Sequence, residues 1–351
     1  MIKNKFIGQV KEYNRYGNIE SGDFKMDLID RKILYLLSLN ARLSNTFIAK
    51  RLRIKRETVS YRIKRMNDED FLHGTLALLD HRKLGFKNYL VYIKLKTVLN
   101  EKKLLNFLLN LEKVSRIKNC SGSYDIQIVL TVRKEDEFID CFETIINKYH
   151  NNINSYDILE ILEEDFLGLG IVLDNEDTKK LFLCEHKGST FEKEFASTQI
   201  IENVSLDDKD KKILDILRLD GSISIKEVSD KIGIAQIAVK NRIKRLVANG
   251  IIKRFMPLAS LNKLGYQWWK VFFKFRGLNK SKFLAFLKYH PNILWYMRLL
   301  GKWDYQFSIF AKDNAEFHKI LDEIRVEFAD NIISYDTIIV FNQFKYVQRV
   351  D

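Results

Sequence analysis

The sequence predicts an α+β protein made of two winged helix-turn-helix domains, each followed by a ferredoxin-like βαββαβ domain. Three observations predict it: an internal repeat, a switch of hydrophobic period inside each repeat, and an excess of positive charge. Sliding the 351-residue chain by 180 positions places Asp30 on Asp210, Lys32-Ile33-Leu34 on Lys212-Ile213-Leu214, Ser44 on Ser224 and Arg62-Ile63-Lys64-Arg65 on Arg242-Ile243-Lys244-Arg245. Over the 37 positions from Asp30 this gives 13 identities without a gap, against roughly two expected from average residue usage. Chance does not produce that, so the chain reads as a tandem duplication of one unit.

Each unit opens with helical periodicity. Ile33-Leu34-Leu36-Leu37 marks a first helix, Phe47-Ile48 with Leu52 a short second one, and Val59, Ile63 and Met66 the inner stripe of a third. The second copy repeats this with Ile213-Leu214-Ile216-Leu217, Val228 with Ile232, and Val239, Ile243 and Leu246. Three helices with short connections form a helix-turn-helix unit, in which one face of the last helix packs and the other is free to read. Gly250 supplies a natural left-handed stop after the second copy's last helix, leading into a wing strand. Asp70 stands at that place in the first copy and strains the same conformation more.

From Lys83-Leu84-Gly85-Phe86 and Lys263-Leu264-Gly265-Tyr266 the period becomes two. In the first unit this predicts strands near 89–95, 114–120, 126–132 and 153–162, with helices near 104–111 and 135–149. In the second it predicts strands near 267–275, 293–299, 305–310 and 332–341, with helices near 283–289 and 315–328. The order βαββαβ implies one antiparallel sheet covered by two helices. The predicted domains are an N-terminal extension (1–26), a first winged helix-turn-helix (27–75), a first α/β domain (76–165), a linker (166–205) with packed structure near Leu181 to Cys184, a second winged helix-turn-helix (206–255) and a second α/β domain (256–351).

Composition narrows the function. With 59 Lys+Arg against 46 Asp+Glu the net charge is +13, which favours a polyanionic partner. Eight basic residues fall between Lys50 and Arg65 with one acid, Glu57. No apolar run approaches the length of a membrane span and no basic leader precedes an apolar run, so a cytoplasmic protein is expected. Cys120, Cys141 and Cys184 are too few and too scattered for a disulfide framework, and the six histidines show no ligand spacing, so no metal or cofactor is expected. The aromatic run Trp268-Trp269-Phe272-Phe273 reads as core and interface rather than a ligand box.

A helix-turn-helix followed by βαββαβ, with a Leu-Gly-[Phe/Tyr] junction and a Gly-x-[Tyr/Trp]-Asp turn, resembles the Lrp/AsnC family of transcriptional regulators. The matching residues are Asp30, Arg62, Ile63, Leu84-Gly85, Gly122 and Tyr124-Asp125 in one half. In the other they are Asp210, Arg242, Ile243, Gly250-Ile251, Leu264-Gly265, Gly301 and Trp303-Asp304. The resemblance implies a regulator that binds double-stranded DNA, with RAM- or ACT-like α/β domains that pair through their sheets. Here both units lie in one chain, so intrachain pairing into a covalent pseudo-dimer is expected, with further assembly into homo-oligomers; the linker equally allows pairing between chains.

Recognition helices of this kind lay their N-terminal part on base edges. The candidates are Lys55, Arg56, Glu57, Ser60 and Tyr61 in the first copy and Gln236, Ile237, Lys240 and Asn241 in the second. Glu57 suits cytosine, Arg56 guanine, and Gln236 or Asn241 adenine, so two unlike half-sites are expected. Lys64, Arg65, Lys244 and Arg245 are placed to hold phosphates, while Arg62 and Arg242 suit a phosphate or a structural ion pair equally. Where the family usually carries a capping Ser at the start of this helix, Lys55 and Ala235 stand, and neither caps well. By resemblance, a small effector such as an amino acid would bind near Gly122, Ser123, Tyr124 and Asp125, and near Gly301, Lys302, Trp303 and Asp304.

Two other readings compete. Sirohaem decarboxylases look like this family and carry a histidine in the second strand of the α/β domain, but Val114-Ser115-Arg116-Ile117-Lys118 and Leu294-Trp295-Tyr296-Met297-Arg298 contain none, so a non-enzyme is expected. An architectural, sequence-tolerant nucleic-acid binder is the third reading.

Overall fold

The computed structural model describes residues 24–173 and 205–350. The stretch near Leu181 to Cys184 lies outside the described residues, as do residues 1–23. The first half comprises α1 (Leu28–Leu39), α2 (Asn45–Leu52), α3 (Arg56–Asp68), β1 (Leu72–Leu79), β2 (Lys87–Leu95), α4 (Glu101–Asn110), β3 (Val114–Gly122), β4 (Ile126–Val132), α5 (Glu135–Tyr149) and β5 (Ile153–Phe166). The second repeats the order with α6 (Asp208–Leu219), α7 (Ile225–Ile232), α8 (Gln236–Ala248), β6 (Ile252–Ala259), β7 (Gln267–Phe275), α9 (Lys280–Tyr289), β8 (Ile293–Leu300), β9 (Tyr305–Ala311), α10 (Asn314–Glu327) and β10 (Ile332–Tyr346).

Local chemistry sets the helix starts. Asp27 and Asp207 form capping boxes with Asp30 and Asp210, and Ser44 and Ser224 cap α2 and α7 through the amide three residues on. Asp70 does adopt the left-handed conformation, at φ 54°, beside 64° for Gly250. The turn survives because Asp tolerates it better than most residues.

The eight strands β2–β5 and β7–β10 close into one barrel in the order β10-β3-β4-β2-β5-β8-β9-β7. Two of its seams join the halves. β5 pairs antiparallel with β8 from Glu160 opposite Leu300 to Phe166 opposite Trp295, and β10 pairs with β3 from Ile338 opposite Gly122 to Tyr346 opposite Arg116. Both strands run several residues beyond the sequence-predicted ends at 162 and 341. The extensions are held by the other half's edge, which periodicity within one repeat does not report. Each passes a register shift, between Ile161 and Glu163 and between Val340 and Asn342, consistent with the bend that a bulge imposes.

Two turn glycines sit where the seams close. A Cβ on Gly122 (φ +126°) would lie 2.9 Å from the Thr337 carbonyl oxygen, and one on Gly301 (φ +135°) would lie 2.8 Å from Leu159 Cδ2. Only a residue without a side chain allows both the positive φ and this approach.

β1 and β6 leave the barrel and pair with each other as an antiparallel ribbon. The strands expected as separate wings are thus one shared element, and the expected boundaries at 75 and 255 fall inside it. The ribbon and the turns that follow its strands serve both heads: Met256, Leu261 and Tyr266 pack with α1–α3, whereas Ala77, Leu79, Leu84 and Phe86 pack with α6–α8. Ala41 N donates to Phe255 O, Gly221 N donates to Thr75 O, and Arg42 donates to the Gly221 and Ile223 carbonyls. The segments after β5 and β10 tie down the same region. Leu169 N donates to Ser38 Oγ and Tyr266 OH to Ile171 O, while Gln348 bonds Leu79 N and Ala77 O.

His81 is buried at the foot of this arrangement, where Arg349 N donates to its Nε2. Burial, reinforced by Arg116, lowers its pKa to about 4. The unfolded imidazole takes up a proton near pH 6.5, so between 6.5 and 4 the unfolded chain binds more protons and stability falls with falling pH.

Replacing Gly301 with Ala is expected to lower unfolding free energy by about 2 kcal/mol or more, read as a fall in the denaturation midpoint. The wild-type chain should be about 2 kcal/mol less stable at pH 5 than at pH 7 from His81 alone. In His81→Leu, which installs the residue found at the corresponding Leu261, urea titrations at the two pH values should lose that part of the difference.

Candidate nucleic-acid interface and internal cavity

Each recognition helix is fixed to the first helix of its head by one buried carboxylate. Asp30, 1% exposed, receives Arg62 Nη1 at 2.8 Å and Arg65 Nη2 at 2.6 Å, while Arg62 also reaches Asp27 at 2.7 Å. Asp210 repeats this with Arg242 at 2.8 Å and with Arg245, and Arg242 reaches Asp207 at 2.8 Å. Of the two roles open to Arg62 and Arg242, the structure places both in ion pairs. Arg65 and Arg245, expected on phosphates, have their guanidinium groups on the same carboxylates, and Arg65 also stacks over Phe24. The carboxylate between α1 and α3 is the reason: a buried Asp holds its charge only when paired. Sequence reading missed Asp27 and Asp207, although Asp-x-x-Asp at a helix start signals a cap.

The other candidates form the outward face. Val59 and Met66 of α3, and Val239, Ile243 and Leu246 of α8, are buried. Lys55, Arg56, Glu57, Tyr61 and Lys64 stand exposed in the first head; Gln236, Ile237, Lys240, Asn241 and Lys244 do so in the second. Tyr61 is 68% and Ile237 63% exposed. Ser60 is partly buried and receives Asn45 Nδ2 at 2.9 Å. Lys64 pairs with Asp68 at 2.5 Å, both in solvent, a pair worth little and easily exchanged. Lys55 and Ala235 stand at the N-caps without a side-chain hydrogen bond, leaving the first helical amides open to another acceptor.

In the predicted effector turns the two aspartates are bonded to neighbouring parts of the chain, while Gly122, Ser123, Gly301 and Lys302 are exposed. Asp125 accepts from Leu95 N at 2.9 Å, and Asp304 accepts from Phe275 N at 2.8 Å and Lys274 Nζ at 2.7 Å. Lys302 lies 2.8 Å from Asp157, which also accepts from Tyr124 OH, so this trio bridges the two halves. Trp303 packs on Phe272, and Ser123 is exposed. None of the eight turn residues lines the large cavity described next.

That cavity, about 430 Å³, opens at the end of the barrel beneath the β1–β6 ribbon. Its walls include Leu76 and Met256 from the ribbon, Phe166, Trp268, Trp295 and Phe310 from the barrel, and Arg218 with Leu219 at the end of α6. Trp268 therefore faces a cavity, whereas Phe272 and Phe273 are fully buried and Trp269 stacks on Phe317. Arg116 and Glu164 form a buried two-pronged pair at 2.6 and 2.5 Å. Burial works against the Glu164 charge, but Arg116 overrides it and holds the pKa at about 2. Lys118, 4% exposed, sits with its ammonium 4.2 Å over the Trp268 ring. Burial, and then Lys270 and Arg116, push its pKa well below the usual lysine value. Lys270, deeper in the barrel, is lowered by burial to about 7 and donates to Gln127 Oε1. Sequence reading did not single out these lysines, although alternation in β3 places Arg116, Lys118 and Cys120 on one face.

Comparison with known proteins finds matches over both heads and the second α/β domain. The AsnC-type helix-turn-helix domain model matches residues 26–67, a winged helix-turn-helix DNA-binding model matches 206–253, and the Lrp/AsnC ligand binding domain model matches 274–350. The HTH-type transcriptional regulator FL11 of Pyrococcus furiosus is 32% identical over 120 residues, which is 34% of this chain and 80% of FL11. The transcriptional regulator AzlB of Bacillus subtilis is 34% identical over 147 residues, 40% of this chain and 92% of AzlB. Among solved structures, the siroheme decarboxylase NirDL superposes with a TM-score of 0.57 at 13% identity, covering 91% of this chain and 93% of NirDL. At that identity the likeness is one of fold. Among the described residues no group of His, Cys, Asp and Glu could hold a metal ion, and no helix is long and apolar enough to cross a membrane.

Asp30→Ala is expected to cost about 3 kcal/mol, since it strands two arginines that share one buried acceptor. Asp210→Ala should cost a similar amount by the same mechanism. Denaturation of each variant against wild type measures this, and a change below about 0.5 kcal/mol would mean that the clamp is not structural.

Proposed function

Since the chain belongs to the Lrp/AsnC family of transcriptional regulators, we propose that it reads an asymmetric operator, its two heads acting as a covalent pseudo-dimer on successive major grooves of duplex DNA. One observation carries this reading: identical carboxylate clamps hold two recognition helices whose exposed faces differ. Arg56, Glu57 and Tyr61 stand where Gln236, Ile237 and Asn241 stand in the other head. Equal scaffolds with unequal reading faces fit two unlike half-sites, spaced by about one helical turn or a multiple of it. The net charge of +13 supports a polyanionic partner. The four tandem domains expected from sequence, with their N-terminal extension and linker, and assembly beyond one chain belong to the same proposal, as does modulation by a small effector.

Lys64 and Lys244 act as phosphate contacts in this reading, with Lys55 and Lys240 beside them. Arg56 and Gln236 act on bases. Ser60 supports α3 through Asn45 more than it reads.

A second reading, a tetrapyrrole enzyme, is favoured only by the fold shared with NirDL. The strand segments Val114 to Lys118 and Leu294 to Arg298 lack histidine, which supports a non-enzymatic regulator. A visible spectrum after incubation with sirohaem separates the two: an unshifted spectrum with retained DNA binding upholds the regulator.

Footprinting and base-substitution assays are expected to find unlike half-sites. Preference for a perfect palindrome would overturn the asymmetric reading. Lys64→Ala and Lys244→Ala should each weaken binding to all sequences alike and reduce the salt slope by about one, whereas Arg56→Ala should cost about 1–3 kcal/mol at one base position only.

A further inference from the structure

We propose that the cavity beneath the β1–β6 ribbon is a binding site for an organic carboxylate with a flat apolar body. In this site the ammonium of Lys118 receives the carboxylate, and Trp268, Trp295 and Phe310 hold the body. The site lies apart from the turns at Gly122 and Gly301 and involves no DNA contact.

The argument begins with the charge. Lys118 is almost wholly buried, and among the described residues it forms no ion pair with a carboxylate, Glu164 acting on it only from a distance. Glu164, the acid nearest in the same interior, is fully engaged by both Nη atoms of Arg116. Lys270 cannot help, since it brings a second cation toward the first. A buried ammonium without a counter-ion costs several kcal/mol, so such a lysine is held in a neutral form or completed by an anion. An aliphatic side chain would fill the same volume at no such cost.

The surroundings add donors to this cation. Among the described residues, Trp268 Nε1, Arg116 Nε and Tyr346 OH are buried polar atoms without a hydrogen-bond partner, all on residues that line this cavity. Two are donors only, and the phenol can donate. Shielded beside the cavity rather than open to it, these groups bias its wall toward acceptor oxygens. The remaining walls are apolar and aromatic: Phe166 and Trp295 lie with ring centroids 5.3 Å apart, and Trp268 and Phe310 stack at 5.5 Å. A volume of about 430 Å³ is in the range of sites for organic ligands with a ring body.

The first half of the barrel carries no counterpart of this aromatic wall. At the offset of 180 or 179, Trp268, Phe310 and Leu294 correspond to Asn88, Thr131 and Ser115. There Thr131 Oγ1 lies 2.7 Å from Asn88 Oδ1 and 2.8 Å from Ser115 Oγ, a closed polar chain that leaves no donor waiting. The cavity is therefore a property of one side, which a packing flaw shared by both halves would not produce.

The test uses the full chain without DNA and two probes of one shape, 1-naphthoate and the neutral 1-naphthamide, titrated by calorimetry. The expected result is one naphthoate per chain, bound at least 10-fold more tightly than the amide. Lys118→Met should reduce naphthoate affinity at least 10-fold and leave the amide unchanged. Trp268→Ala should weaken both. Equal affinity for acid and amide, or naphthoate binding untouched by Lys118→Met, would overturn the proposal, as would absence of naphthoate binding at millimolar concentration. Because DNA is absent from the assay, failure here leaves the operator reading standing, and failure of that reading leaves this one.

Discussion

Everything in this structure depends on two strand edges finding partners in the other half of the chain. A four-stranded βαββαβ sheet ends in unpaired amides and carbonyls, which are a liability in water and an invitation to other chains. Here β5 closes on β8 and β10 on β3, so the two sheets become one barrel with no edge left open. Closure brings the backbones so near that Gly122 and Gly301 admit no side chain. It also creates a largely desolvated interior, and that interior decides how the buried charges behave. Lys118, Lys270 and the Arg116–Glu164 pair are perturbed because the barrel removes them from water.

The molecule keeps its scaffold in duplicate and varies what the scaffold presents. Asp30 and Asp210 hold their arginines in nearly the same geometry, so both recognition helices leave their heads at the same attitude. The outward residues at those helices share little chemistry. The barrel behaves alike, with a polar chain through Asn88 and Thr131 on one side and aromatic walls on the other. Fixed framework and divergent surface are the combination that the proposed asymmetric operator calls for.

Much of this was legible in the sequence, and the reasons for what was not are physical. The 180-residue offset, the helical stripes and the switch to period two located nearly every element, because each reflects burial along one local face. Asp30 and Arg62 stood out only as repeated letters; their ion pair became visible once α1 and α3 were packed. Strand ends at 162 and 341 were set too short since the missing residues are stabilised by hydrogen bonds to the other half. The candidate turns were read from a motif, but Asp125 and Asp304 have their oxygens committed to neighbouring amides. The cavity was hidden because a lysine in an alternating strand looks solvent-facing until the other wall of the barrel is in place.

The β1–β6 ribbon has a bearing on how the protein comes into being. His73 meets Ser260, 187 residues downstream, and each head draws part of its interior from the far half. At synthesis rates of about 5–20 residues per second, the earlier half waits roughly ten to forty seconds for those partners. During that interval Leu79, Leu84 and Phe86 have no second head to cover them, and the edges of β3 and β5 stand open. The nascent chain is thus a natural client for holding factors at the ribosome exit, and two ribosomes on one message run the risk of exchanging halves between neighbours.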